Sequence, residues 1–295
     1  MLIGNLLWVL VGTMLLGIAA GVTGTFALLQ KQSLVGDAAA HAALPGIALA
    51  FLLTGQKELP ILMIGAAITS ALSVYCIQWI IKFSKLKADA AIGLVLSVYF
   101  GIGIVLLTVV NQSGAGSQSG LNDFIFGKAA TMTKEDLVWL FACATIVIMI
   151  SIIFYKEWKL MIFDPLFAKG IGLPIERLRA VLTALIVLTI VTGIQAVGVI
   201  LMSALLIIPA ATAKFWANNL SKMLILSSVI GGLSGIGGTY ISSLRTGLST
   251  GPLIVLLAAL FFFFSYLFSP NAGLISRFLQ KKKFVYQAGE VQQND

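Results

Sequence analysis

The single histidine of the chain, His41, stands four residues after Asp37 in the run Gly36-Asp37-Ala38-Ala39-Ala40-His41. Apolar residues and a proline follow it, Ala42-Ala43-Leu44-Pro45-Gly46. At i and i+4 the two side chains share one helix face, about 6 Å apart along the axis. A carboxylate oxygen and an imidazole nitrogen converging on one point are ligands for a borderline-to-hard divalent metal. In hydrocarbon either group is costly unless it faces a partner, a cavity or a path. The same spacing also suits a buried Asp–His pair that only pins helices together, and residue types alone leave both readings open. A membrane-embedded hydrolase using Asp37 and His41 is a third reading, but no nucleophile elbow accompanies them.

The elements that hold these groups are membrane spans. Hydrophobic residues make up 59% of the 295 and charged residues 10%, against about 25% charged in soluble domains. With no long alternating pattern of barrel strands, the chain reads as all-α, a polytopic transmembrane helical bundle. Nine apolar segments are expected, at about 5–29, 34–54, 60–82, 90–110, 136–155, 178–196, 198–216, 221–243 and 252–269. The sixth and seventh nearly touch at Val197-Gly198, and their merger would leave eight. The N-terminal run lacks a basic leader and is too long for a cleaved signal, so it reads as a retained span. The 29 glycines suit close helix contact in lipid. Cys76 and Cys143 fall in apolar runs, where neither a disulfide nor a thiolate metal site is expected.

Basic residues set the orientation. With nine spans and the N-terminus outside, only Lys57, Lys128, Lys134 and Arg245 of the 19 basic residues lie outside. The others face the cytoplasm, a strong positive-inside bias. The net charge of +8 is thereby explained by topology and anionic lipid, with no nucleic-acid partner. The expected location is the plasma membrane, multi-pass, with the C-terminus cytoplasmic. A transmembrane domain over 1–275 is followed by a basic tail, 276–295, carrying Lys281-Lys282-Lys283. Outside, 111–120 reads as a flexible polar loop and 121–127 as an interfacial stretch anchored by phenylalanines.

Between the fifth and sixth spans, Asp164 is a good N-cap, Pro165 fits a first helical turn, and Gly170 or Gly172 ends it. One short cytoplasmic helix is expected there, either lying on the membrane or docking into another protein. Pro45 deprives the carbonyl of His41 of its helical partner, and Pro209 does the same for Leu205. Gln195 is the other polar side chain deep in an apolar run. Gln195, Pro45 and Pro209 are therefore pathway candidates, beside plain roles in kinks and interhelical hydrogen bonds.

Other chemistry is missing. No G-x-x-x-x-G-K-[ST] cradles ATP phosphates, and no H-E-x-x-H supplies a zincin site. An intramembrane aspartyl protease would need a second membrane aspartate, and Asp89 lies near Lys87 at the expected boundary.

The stretch from Gln32 to Leu53 closely resembles the signature of the ABC-3 permeases, the membrane subunits of importers for manganese, zinc and ferrous iron. The resemblance continues through Asp89-Ala90-Ala91-Ile92-Gly93, Leu121 to Gly127, Phe163-Asp164-Pro165-Leu166-Phe167-Ala168, Gly198 to Ala213, and Ser249-Thr250-Gly251-Pro252. It implies a type II importer permease with no enzymatic activity of its own and no tightly bound cofactor. Two copies would form a dimer over two separate ATPase subunits, and an extracellular solute-binding protein would deliver the metal. It also implies that Asp164, Pro165, Leu166, Phe167, Ala168 and Gly170 form the coupling helix that enters the ATPase. Asp37 and His41 become metal ligands on this reading. Manganese is the expected cargo, with zinc or iron the alternative. One histidine and distant cysteines fit zinc poorly, and oxygen donors suit manganese.

Overall fold

The computed structural model describes residues 2–55, 58–112, 127, 129, 132–245, 248–270 and 273–274. Of the expected polar loop at 111–120, Asn111 and Gln112 instead end α4, and 113–120, the phenylalanines of 121–126 and the tail 276–295 lie outside the described residues. Eleven helices form the described fold: α1 Leu2–Leu29, α2 Ser33–Thr54, α3 Leu59–Phe83, α4 Ala88–Gln112, α5 Lys134–Ile153, α6 Tyr155–Phe163, α7 Pro165–Gly170, α8 Ile175–Val197, α9 Val199–Trp216, α10 Leu220–Ser243 and α11 Thr250–Phe268.

Eight of these are long and apolar enough to cross a membrane, and α9 is a shorter apolar helix. Its 18 residues rise about 27 Å, slightly less than a hydrocarbon core of ~30 Å. The expected sixth and seventh segments stay separate. Gly198 sits at φ 95°, ψ 157°, a conformation open mainly to glycine. Met202 then packs against Gly193, although the two would lie about 13 Å apart along a continuous helix. The chain therefore reverses at Gly198. The expected fifth span differs at its end: α5 stops at Ile153, and Tyr155–Phe163 forms a helix of its own. Lys156, Glu157 and Lys159 end the apolar run, and a tertiary anchor fixes the helix that follows. Trp158 is fully buried, donates its indole N–H to the Leu178 carbonyl at 3.1 Å and meets Phe26 edge-on at 5.0 Å.

Backbone proximity holds the center of the bundle. On α1 and α10, a Cβ added at Gly17 would overlap the carbonyl of Gly231, and one at Gly231 the carbonyl of Gly17. Gly21 lies likewise against the carbonyl of Ser227, and Gly235 against that of Thr13. Hydroxyls join the same seam, with Thr25 and Ser227 bonded at 2.7 Å and Thr239 donating to Thr13 at 3.0 Å. Small residues and hydroxyls supply what the hydrophobic effect cannot in lipid. Gly17→Leu is accordingly expected to destabilise the fold by at least ~1–3 kcal/mol through overpacking. Gly36→Ala, whose Cβ meets side chains only at 3.6 Å and beyond, should leave it unchanged. Thermal melting of the purified variants in detergent checks both.

The spans alternate in direction, so one end of the bundle gathers the α1–α2, α3–α4, α5–α8 and α9–α10 connections. That end carries Lys31, Lys82, Lys85, Lys87, Lys156, Lys159, Lys169, Arg177, Arg179, Lys214 and Lys222.

Candidate metal pathway and coupling segment

Alanine, the best helix former, fills α2 around the two polar residues. Lys31, at φ 58°, closes α1 in a left-handed turn, with Gln32 N–H donating to Ala27 and Lys31 N–H to Leu28. Gly55, at φ 65°, ends α2 in the same way. Between these caps, α2 is packed on several sides. Gly46 and Gly65 bring α3 into backbone contact, and Ser70 of α3 donates to the Ala39 carbonyl at 2.8 Å. Gly36 faces Ile186 and Ile190 of α8 and Leu206 of α9. Gly103 of α4 lies against Leu44 and Pro45.

Asp37 and His41 occupy the part of α2 that these neighbours leave open. Their side chains are 31% and 15% exposed, and Asp37 Oδ1 lies 3.6 Å from His41 Nε2. That separation is too long for a hydrogen bond, yet it points both groups at one position. A pair that belongs to one helix and is not bonded does not pin helices together. The imidazole is oriented from α4, where Phe100 meets it edge-to-face at 5.0 Å and 84°. His41 Nδ1 is buried with no hydrogen-bond partner among the described residues. Phe100 carries no periodic signal of its own, and sequence reasoning missed it.

Among the described residues no group of three or more His, Cys, Asp or Glu side chains could hold a metal ion. One copy therefore offers two side-chain ligands, and further donors must come from water, backbone or a second copy. On α4, beside Phe100, Gly93 and Gly101 face open space with Ser97 exposed between them. Such small-residue spacing suits the approach of another helix.

The other pathway candidates lie elsewhere. Pro45 is buried against Gly103, Pro209 is buried within α9, and Gln195 is half-buried near the end of α8. Next to Gln195 the Gly198 turn receives Gly127, at φ 73°, whose added Cβ would overlap Val197. Ser249 donates to the Gly127 carbonyl at 3.2 Å. Three segments remote in sequence thus meet at the end of the bundle opposite the basic one.

At the basic end, α7 is a single capped turn. Asp164 accepts from Phe167 N–H at 3.0 Å with Pro165 in first position. Gly172, at φ 82°, closes it, with Leu173 N–H bonded to Ala168 at 3.0 Å and Gly172 N–H to Lys169 at 3.1 Å. Ala168 is fully buried, whereas Leu166 is 84% and Phe167 56% exposed. Phe163 and Ile171 are exposed beside them. The turn is anchored through its alanine and presents its large apolar groups outward.

Comparison with known proteins identifies the family. The model of the ABC 3 transport family matches residues 3–269. The chain is 51% identical over 273 residues to the manganese transport system membrane protein MntC of Bacillus subtilis, covering 92% of this chain and 63% of that protein. It therefore spans somewhat less than two thirds of that relative. It is 41% identical over 275 residues to the zinc transport system membrane protein TroC of Treponema pallidum, covering 93% of this chain and 92% of the relative. A solved structure, PsaBC from Streptococcus pneumoniae in complex with Fab, contains a chain 35% identical with a TM-score of 0.81, covering 93% of this chain and 94% of that one. The chain belongs to the ABC 3 transport family.

Proposed function

We propose that this chain is the membrane permease of an ATP-driven importer for a divalent transition metal, with manganese as its main cargo. The observation that carries the reading is the Asp37–His41 pair, converging to 3.6 Å on an open face of an otherwise apolar helix. Two copies, approaching along α4 and the open face of α2, bring two carboxylates and two imidazoles to one central path. The site is sparse by design, since conduction needs binding weak enough for release. Two separate ATPase subunits supply the energy and receive α7. An extracellular solute-binding protein supplies the metal. The basic end faces the cytoplasm and the N-terminus lies outside, as the positive-inside rule requires.

Zinc is the second reading, favoured by the likeness to a zinc transport protein. A mixed oxygen and nitrogen set with one histidine per copy suits manganese better than a tetrahedral zinc site. In the usual stability order, however, zinc binds more tightly than manganese at any such site. Selection therefore rests with the delivering protein, and the permease follows it. Deletion of this gene, with cellular manganese, zinc and iron measured together by mass spectrometry, is expected to lower manganese selectively. Loss of zinc with manganese unchanged would overturn the choice of metal and leave the importer reading intact.

A further inference from the structure

A groove of about 550 Å³ opens between α3 and α8, on the half of the bundle nearest the basic end. Four alanines line it, Ala67 and Ala71 on α3 and Ala180 and Ala184 on α8, over the buried Val74 and Val187. At its mouth stand Gln78, Glu176 and Arg179. Trp79 and Phe83, exposed at the end of α3 beside Lys82, mark the headgroup level by their aromatic character. The groove thus runs from the interface into the acyl region.

Its polar groups stand in a definite order along α8. Thr183 Oγ1 is buried without a hydrogen-bond partner. By contrast, Thr189 and Thr192, further along the same helix, donate to the carbonyl four residues back. One turn nearer the mouth, about 6 Å along the axis, comes Arg179, and about 4.5 Å further comes Glu176. Neither charge makes an ion pair among the described residues. From the membrane outward the order is apolar groove, buried unpartnered hydroxyl, cation, anion.

A zwitterionic glycerophospholipid carries the complement of that order: acyl chain, ester carbonyl, phosphate, ammonium. We propose that the groove binds phosphatidylethanolamine as a structural lipid. Thr183, once its side chain turns its hydroxyl out of the buried position it holds here, donates to an ester carbonyl, Arg179 holds the phosphate, and Glu176 accepts from the ammonium. The acyl chain lies between the alanines, against Val74 and Val187. Basic pockets between spans recognise phospholipid headgroups in this general manner. The assignment depends on the proposed orientation only for the leaflet, not for the site, and it is independent of the transported metal.

The test uses the full-length permease in neutral detergent, titrated with dioleoyl phosphatidylethanolamine, phosphatidylglycerol or phosphatidylcholine and read by native mass spectrometry. Phosphatidylethanolamine is expected to bind best. Arg179→Ala should weaken it about tenfold, the loss of one charge-assisted hydrogen bond. Glu176→Gln should weaken phosphatidylethanolamine and spare phosphatidylglycerol. Ala184→Trp should exclude all three by filling the groove, and melting temperature reports that each variant is folded. Equal binding by the parent and the Arg179→Ala variant would overturn the assignment, as would equal binding of the three lipids. Disulfide crosslinking between copies through Ala184→Cys, in a background lacking Cys76 and Cys143, would place a second copy in the groove and overturn it as well.

Discussion

Alanine at Asp37 or His41 is expected to abolish metal uptake while leaving the protein folded. The two share one helix and are not hydrogen-bonded to each other at 3.6 Å, and the contact to another helix is the edge of His41 on Phe100. Alanine is the best helix former and removes a polar group that hydrocarbon disfavors. The Asp37 variant should therefore melt at or above the temperature of the parent, and the His41 variant slightly below it, by the ~0.5–1.5 kcal/mol of its contact with Phe100. Uptake responds far more strongly. Loss of an outer-shell partner alone costs 10–100-fold at metal sites, so loss of a direct ligand should cost at least ~100-fold in rate. Asp37→Asn keeps the shape but discards the charge, and should also fail. Radiolabelled manganese uptake in cells, beside melting of the purified variants, checks both halves. Variants that melt normally and import at the parental rate would remove these residues from the path.

Phe167→Asp is expected to uncouple the permease from its ATPase. The side chain is 56% exposed, next to Leu166 at 84%, on a turn anchored by the buried Ala168. The substitution therefore leaves the permease fold alone and acts on whatever receives the turn. It withdraws ~1.5–3 kcal/mol of aromatic burial and puts an unpaired charge into an apolar socket. Either the subunits fail to assemble or ATP hydrolysis no longer responds to metal delivery. Asp164→Ala, which removes only the cap on Phe167 N–H, should weaken coupling mildly, by about 1 kcal/mol. Co-purification of the Phe167→Asp complex with normal, delivery-stimulated hydrolysis would show that α7 does not transmit the signal.

Both predictions rest on features that local sequence rules expose. The i, i+4 spacing placed Asp37 and His41 on one face, and the alanines around them made α2 secure. Asp164 and Pro165 are cap residues, so the start of α7 is legible, while the choice between Gly170 and Gly172 as its closing glycine is made by the fold. What stayed hidden depends on contacts between distant segments. Phe100 approaches His41 from another helix, and an aromatic residue in a membrane span gives no sign of which ring it will meet. The reversal at Gly198 needed Met202 to fold back on Gly193, and hydropathy alone left eight or nine segments open. The expected fifth span reaches 155 and leaves the Tyr155–Phe163 helix unread, because the Trp158 indole bond to Leu178 that fixes it joins segments distant in sequence. The meeting of Gly127, Ser249 and the Gly198 turn joins motifs noticed separately.

Pulsed electron paramagnetic resonance of manganese bound to the assembled permease tests the role of the Asp37–His41 pair most directly. His41 is the one histidine among the 295 residues, so imidazole nitrogen in the permease has a single source. The spectrum of the parent is expected to show nitrogen coupling to the bound ion, and His41→Ala should lose it. Absence of nitrogen coupling in the parent, at manganese concentrations that saturate uptake, would contradict the site, as would coupling that survives the loss of His41.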